Sequence, residues 1–159
     1  MGKPLWAPWR IEYILGEKPD ECVLCSMPAQ NDDERHHILY RGKTCYVVLN
    51  LYPYSNGHMM IVPFRHTSDY TELSPEELAE SAELTSKCLS VLKEVFKPEG
   101  FNVGLNQGRA AGAGIEEHLH LHIVPRWTGD FNYMPVVGQT LVIPQHLKET
   151  YAMLKAKFR

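Results

Sequence analysis

Residues 118–122 read His-Leu-His-Leu-His, the densest grouping in this 159-residue chain of side chains that change protonation near neutral pH. An extended strand sends successive side chains to opposite faces, so the three imidazoles are expected on one face. Leu119, Leu121 and Ile123 fall on the other, where they would pack on a core. Two chemistries suit such a row. A His-x-His pair can chelate a metal, and a neutral imidazole can act as nucleophile or proton carrier. A solvent-facing row of histidines is the bland alternative, and neighbouring imidazoles gain nothing from it. Upstream lies Gln107-Gly-Arg-Ala-Ala-Gly-Ala-Gly114, whose glycines let backbone N–H groups approach a phosphate, with Gln107 and Arg109 as polar side chains. Anion cradling beside a nucleophile points to phosphoryl or nucleotidyl transfer. The phosphate is not expected to be held as in P-loop enzymes, for want of a Walker-type Gly-Lys-Ser/Thr loop.

Cys22-Val-Leu-Cys25 is a second constellation. It supplies two of the four ligands of a structural zinc site, and by itself it stays open between metal binding, redox chemistry and neither. A thioredoxin-type pair would precede a helix in an α/β unit, which the mixed pattern around it does not suggest. Cys45 reads as a buried strand residue, and Cys88 sits in a helix without chemistry.

The elements that must position these groups are legible in outline. Residues 1–35 read as an irregular arm with Trp6, Trp9 and the cysteine pair. Strands begin at Ile38. Tyr46–Asn50 and His58–Val62 form a hairpin around Tyr52-Pro-Tyr-Ser-Asn-Gly57, and Pro63 ends it. Ser74-Pro-Glu-Glu77 opens a helix with a cap, a first-turn proline and a capping box. Leu78, Ala82, Leu89, Leu92 and Phe96 give that helix an apolar face, and Pro98-Glu-Gly100 stops it. Phe101–Asn106 and Glu117–Val124 are strands, the second closed by Pro125, and a last helix runs from about Pro144 to Lys157. The order β-β-α-β-β-α predicts an α+β class: an antiparallel sheet of about five strands, a long helix across it and a C-terminal helix. One domain is expected over 1–159, with an arm (1–35), a core (36–130) and a C-terminal extension (131–159).

Composition narrows the function. Sixteen Lys+Arg against 19 Asp+Glu give a formal charge of −3, which argues against a general nucleic-acid or anionic-membrane binder. No apolar run approaches the roughly 20 residues of a membrane span. With no secretory leader pattern, a cytoplasmic protein is expected.

At this point the chain resembles the histidine-triad family, nucleotide hydrolases and transferases with the signature His-φ-His-φ-His-φ-φ, here His118–Val124. Asn50, Pro53, Gly57-His58 and Pro63 are similar to the family's nucleoside-binding hairpin, and Gln107 and Val124-Pro-Arg126 also match. Leu5-Trp-Ala-Pro-Trp-Arg10, the cysteine pair and Ala111–Trp127 resemble a bacterial branch associated with diadenosine tetraphosphate hydrolases and phosphorylases. The resemblance implies that His120 attacks an α-phosphorus to give a nucleotidyl-histidine, which water or inorganic phosphate then resolves. It implies that His122 and Gln107 donate to phosphate oxygens, that His58 orients the triad, and that Asn50 binds ribose hydroxyls. Read from the residues alone, a weaker alternative is that Asn50 simply starts a turn and His58 simply begins a strand. The resemblance further implies a structural zinc on Cys22, Cys25, His66 and His118, and a homodimer. One departure stands out: many members carry Gln and then Ser or Thr where this chain has Gly114 and Ile115. Either Arg109 or backbone N–H groups replace the lost contact, or the space admits a second anion and favours phosphorolysis. Three other readings stay open: a metal-dependent hydrolase using His118, His120 and His122 as ligands, a nucleoside phosphoramidate or adenylate hydrolase, and a non-catalytic nucleotide sensor.

Overall fold

The structure is a computed structural model, and it describes residues 21–130 and 143–158. Trp6, Trp9 and Leu5–Arg10 lie outside the described residues. The elements in chain order are α1 (Val23–Ala29), β1 (Ile38–Arg41), β2 (Cys45–Leu49), β3 (Met59–Pro63), α2 (Pro75–Phe96), β4 (Gly100–Leu105), β5 (Leu121–Arg126) and α3 (Leu147–Lys155). The strands form one five-stranded antiparallel sheet in the order β1-β2-β3-β5-β4. The expected α+β class and strand count are found.

Strands β2 and β3 are buried along their whole length, because both sheet faces are covered. One face carries Cys45, Val47, Leu49, Met59, Ile61 and Ile123 against Leu84, Cys88 and Leu92 of α2 and Leu154 of α3. The other carries Tyr46, Val48, Met60 and Val62 against Leu24 and Met27 of α1. That explains the continuous apolar runs in these strands, where a one-sided sheet would alternate. The hairpin register pairs Tyr46 with Val62 and Val48 with Met60. Gly57 turns the chain at φ +80°, tucked so closely under Phe96 that an added Cβ would sit 3.0 Å from its ring.

Helix α2 starts as its sequence dictates. Ser74 Oγ accepts from Glu77 N at 3.2 Å, and Glu77 Oε2 accepts from Ser74 N at 2.7 Å. The expected face holds at Leu92, which is buried, and at Leu89 and Phe96, which pack on the core, but not at Leu78 and Ala82, which are exposed; Glu77, Leu84, Cys88 and Val91 are buried in their place. Arg65 is the reason at the N-terminal end. Its guanidinium forks onto both Glu77 oxygens, at 3.0 and 2.8 Å, and holds that carboxylate inward. Cys88, expected to be idle, is fully buried in the centre of the core.

Three further expectations are corrected. The cysteine pair does open a helix, α1, with Cys22 as its N-cap, although no parallel α/β unit follows. Pro28 lies inside that short helix and masked it in the sequence. The triad strand begins at Leu121 rather than Glu117 and continues through Pro125 to Arg126. Pro125 is tolerated because β3 pairs with β5 only as far as Ile123, so no strand on that side needs its missing N–H. Finally, Gly42-Lys43-Thr44 does match the end of a Walker loop. It forms the β1–β2 turn, with His37 where such a loop would need its first glycine, and it binds a carboxylate instead of a phosphate. Glu80 accepts from Lys43 N, Thr44 N, Thr44 Oγ1 and Cys45 N. A Cβ on Gly42 would lie 2.4 Å from Glu80 Oε1 and 2.8 Å from the Cys45 carbonyl, so the turn requires glycine. Despite some burial, those hydrogen bonds hold the Glu80 carboxyl down at about 2.

Candidate active site and metal cluster

Five histidines from three chain segments form one contiguous row. His66 and His118 meet edge to face with ring centres 5.1 Å apart, as do His120 and His122 at 4.9 Å, and His122 and His58 lie tilted at 5.0 Å. His118 and His120 lie outside the ladder, on the approach to β5. There Leu119 N bonds the Thr67 carbonyl at 2.8 Å, which ties the approach to the segment carrying His66.

The hydrogen-bond partners fix which nitrogen of each ring carries the proton, since a backbone N–H can only donate and a carbonyl can only accept. His58 Nδ1 accepts from Tyr54 N at 3.1 Å, so its proton sits on Nε2 and is donated to His122 Nδ1 at 2.9 Å. His122 then carries its own proton on Nε2, away from His58. His120 donates from Nδ1 to the His118 carbonyl at 2.8 Å, which leaves the Nε2 lone pair free. His118 is set the other way round. Its Nε2 donates to the Pro63 carbonyl at 2.9 Å, and its Nδ1 lone pair faces the sulfurs.

Electrostatics agree with those assignments. Burial above all, reinforced by the neighbouring imidazoles, lowers His58 to about 3. Burial and His120 together lower His122 to about 4. Both rings are therefore neutral at pH 7. Burial also lowers His118, against the Pro63 hydrogen bond that raises it.

Cys22, Cys25, His66 and His118 converge so that one donor atom from each lies within 4.8 Å of all the others. Cys22 Sγ and Cys25 Sγ are each 3.4 Å from His118 Nδ1, and Cys25 Sγ is 3.3 Å from His66 Nδ1. Tetrahedral zinc with ordinary bond lengths would set sulfur and nitrogen about 3.6 Å apart, so the donors fit such an ion. The His118 tautomer suits it too, because its second nitrogen is anchored on a carbonyl. Burial and the adjacent Cys22 push the Cys25 thiol up to about 11, a position that a bound dication would reverse.

The remaining expected residues divide. Asn50 caps the hairpin turn, with Oδ1 accepting from Tyr52 N at 2.8 Å. Gln107 is exposed and engaged elsewhere, its carboxamide accepting from Tyr70 N at 3.1 Å and donating to Asp69 at 3.2 Å. Arg109 is 91% exposed and lies 3.7 Å from Glu116. Gly114 is open, with nothing within 4 Å of an added Cβ, whereas Ile115 is half-buried against the apolar cluster on the α1 side of the sheet. Two residues were missed. Asn106 and Tyr54 line a groove with His122, Gly104 and Val124. The alternation Asn102, Gly104, Asn106 opposite Val124 and His122 was the available signal, because cross-strand partners share a face.

Comparison with known proteins gives a consistent picture. The model of the HIT domain matches residues 31–129. The Mycobacterium tuberculosis protein named "AP-4-A phosphorylase" is 42% identical over 97% of this chain and 83% of its own length. The Schizosaccharomyces pombe asymmetrical bis(5'-nucleosyl)-tetraphosphatase is 33% identical, over 65% of this chain and 57% of its own. Among solved structures, a Zn-bound histidine triad family protein from Mycobacterium smegmatis superimposes with a TM-score of 0.69 at 25% identity. That match covers 86% of this chain and 92% of the other.

Proposed function

Since the chain belongs to the HIT family, we propose that it cleaves a dinucleoside polyphosphate of the diadenosine tetraphosphate type by nucleotidyl transfer through His120. The observation that carries this reading is the pair of opposed ring settings. The His120 Nε2 lone pair is free while Nδ1–H is held by the His118 carbonyl, and His122 presents Nε2–H beside it. The nucleophile's lone pair and its neighbouring proton donor thus face the same space, and burial keeps His122 neutral at pH 7. In the first step the Nε2–phosphorus bond forms on the α-phosphate and the bond to the bridging oxygen breaks, releasing ATP. The positive charge left on His120 is stabilised by the carbonyl on Nδ1–H. His122 Nε2–H donates to a phosphate oxygen, and Asn106 lies in the same groove as a second polar contact. Inorganic phosphate then resolves the intermediate to ADP, or water resolves it to AMP. We favour phosphate, because Gly114 leaves space where a larger polar side chain would stand and because the 42% identical relative is named a phosphorylase. Asn50 retains a ribose-binding role through the amide not used in its turn.

Zinc is the metal we assign to Cys22, Cys25, His66 and His118. It would supply structural cross-linking between α1, the segment after β3 and the approach to β5. Four protein ligands leave no open position, so it is support and takes no part in the bond exchange. A second copy of the chain is the expected partner. Among the described residues β4 pairs with β5 alone, and its Val103 is 46% exposed. No helix among the described residues is long and apolar enough to cross a membrane; a cytoplasmic location is part of this reading.

The test is a product assay on diadenosine tetraphosphate with and without inorganic phosphate. ADP plus ATP formed only with phosphate supports the reading. AMP plus ATP in both buffers makes water the acceptor and removes the argument from Gly114. No turnover in either would shift the reading to phosphoramidate or adenylate substrates, or to a sensor.

A further inference from the structure

The groove beside His122 extends well past the reacting groups. It has a volume of about 480 Å³ and runs along β5 from His122 past Val124 to Arg126. Four residues of strand cover about 13 Å. Pockets of this size hold ligands as large as a nucleotide.

Three features set its chemistry. Tyr54 forms one wall and is 53% exposed, although it is a large aromatic side chain. It is nonetheless firmly held. Its ring packs on His58 at 4.8 Å and lies 5.9 Å from His122, its own N–H is donated to His58, and the adjacent Ser55 hydroxyl donates to the Pro125 carbonyl at 2.6 Å. A rigid ring with one face packed and the other open is a stacking platform. Gly104 stands directly opposite His122, with an ordinary negative φ and nothing within 4 Å of an added Cβ. No backbone strain calls for glycine there, and its effect is room for a ligand against the sheet. Arg126, at the far end, gives its guanidinium to Asp130 and Asn102, which largely offsets its charge. With its cation paired to Asp130, the groove suits an uncharged aromatic group better than another phosphate.

We propose that this groove binds the nucleoside of the departing half of the substrate, with its base stacked on Tyr54 and seated over Gly104. The inference rests on the dinucleoside polyphosphate reading given above and adds a second nucleoside subsite to it. The test compares kcat/KM for diadenosine tetraphosphate with that for adenosine 5'-tetraphosphate, which keeps the reacting end but lacks the second nucleoside. The full chain is used, as wild type, Tyr54→Ala, Tyr54→Phe and Gly104→Val. Tyr54→Ala should lower kcat/KM on the dinucleotide about ten-fold more than on the mononucleotide, mainly through KM, as loss of one stacked base predicts. Tyr54→Phe should restore the difference. Gly104→Val, which fills only open space, should lose it while melting like wild type. Equal losses on both substrates would overturn the proposal and leave Tyr54 as a support for His58, and so would no loss on either. If wild type cleaves neither compound, the underlying reading fails first and the subsite falls with it, a result visible before any variant is compared.

Discussion

The two ends of the histidine row use the same side chain for opposite purposes. At one end His118 turns Nδ1 to two sulfurs because the Pro63 carbonyl holds Nε2–H. At the other, two residues along, His120 frees Nε2 because the His118 carbonyl holds Nδ1–H. Each ring's task is set by the nitrogen that a backbone carbonyl occupies, and residue type alone does not set it. The first end gathers donor atoms from three distant segments into a cluster that could hold a metal. The second is a relay, His58 to His122, held neutral by burial and open to a groove.

Substitution at each end should separate the two roles. His120→Ala should reduce turnover by at least about 10³-fold, as removal of a nucleophile does, with an unchanged melting temperature. Its counterpart His118→Ala should lose bound metal and melt lower, and activity should fall only as far as folding does. A His120→Ala protein that melts lower, or a His118→Ala protein as inert and as stable as it, would collapse the distinction.

Chelation is the next break. Metal removal should cost several kcal/mol of folding stability, a fall in melting temperature of about 10 °C for a chain of this size. Residual activity below the new melting point, followed by scanning calorimetry and product assay, would confirm that the metal only supports. If activity vanishes while the melting curve stays put, the metal-dependent hydrolase reading takes over.

The relay can be sharpened with His58→Ala, expected to lower kcat by about 10–100-fold, since an orienting partner is lost while nucleophile and donor remain. Unchanged kcat would show that the Tyr54-to-His58 chain does not control His122.

Acid should act on the relay before it acts on the β1–β2 turn. His58 and His122 have folded values depressed below the ordinary 6.5, so the unfolded chain binds more protons as pH drops below that value. Their contribution is complete above about pH 6.5 and is lost as pH falls towards 4 and then 3. Glu80, depressed to about 2 from 4.5, adds a second loss that begins only below about pH 4.5. Melting temperatures recorded between pH 7 and 3 should fall in that order, and Glu80→Gln should flatten the lower part alone. The smallest effect belongs to that substitution at pH 7, about 1–3 kcal/mol for loosening hydrogen bonds to a charged acceptor.

Much of this was legible in the chain. Short-range rules governed the capping box at Ser74–Glu77 and the hairpin around Gly57, and alternation placed His122 and Met60 on one face. Helix α1 was hidden, being seven residues long with an internal proline. The inward turn of Glu77 at the start of α2 was not legible, because a carboxylate reads as solvent-facing until the Arg65 fork that holds it, 12 residues earlier, is seen. Asn106 was passed over for its neighbour Gln107, whose carboxamide is taken up by Asp69 and Tyr70, 38 and 37 residues away.

Sequence by itself determined which chemical groups are available: three imidazoles at alternate positions, a fourth at the start of a strand, and two thiols one helical turn apart. Only the tertiary structure decided their division of labour. A ring's free nitrogen depends on which backbone group meets the other one. For His118 that group is the carbonyl of Pro63, 55 residues earlier, and for His58 its Nε2 partner is His122, 64 residues later. Packing of the sheet brings them within 3 Å, and no local rule along the chain specifies that meeting.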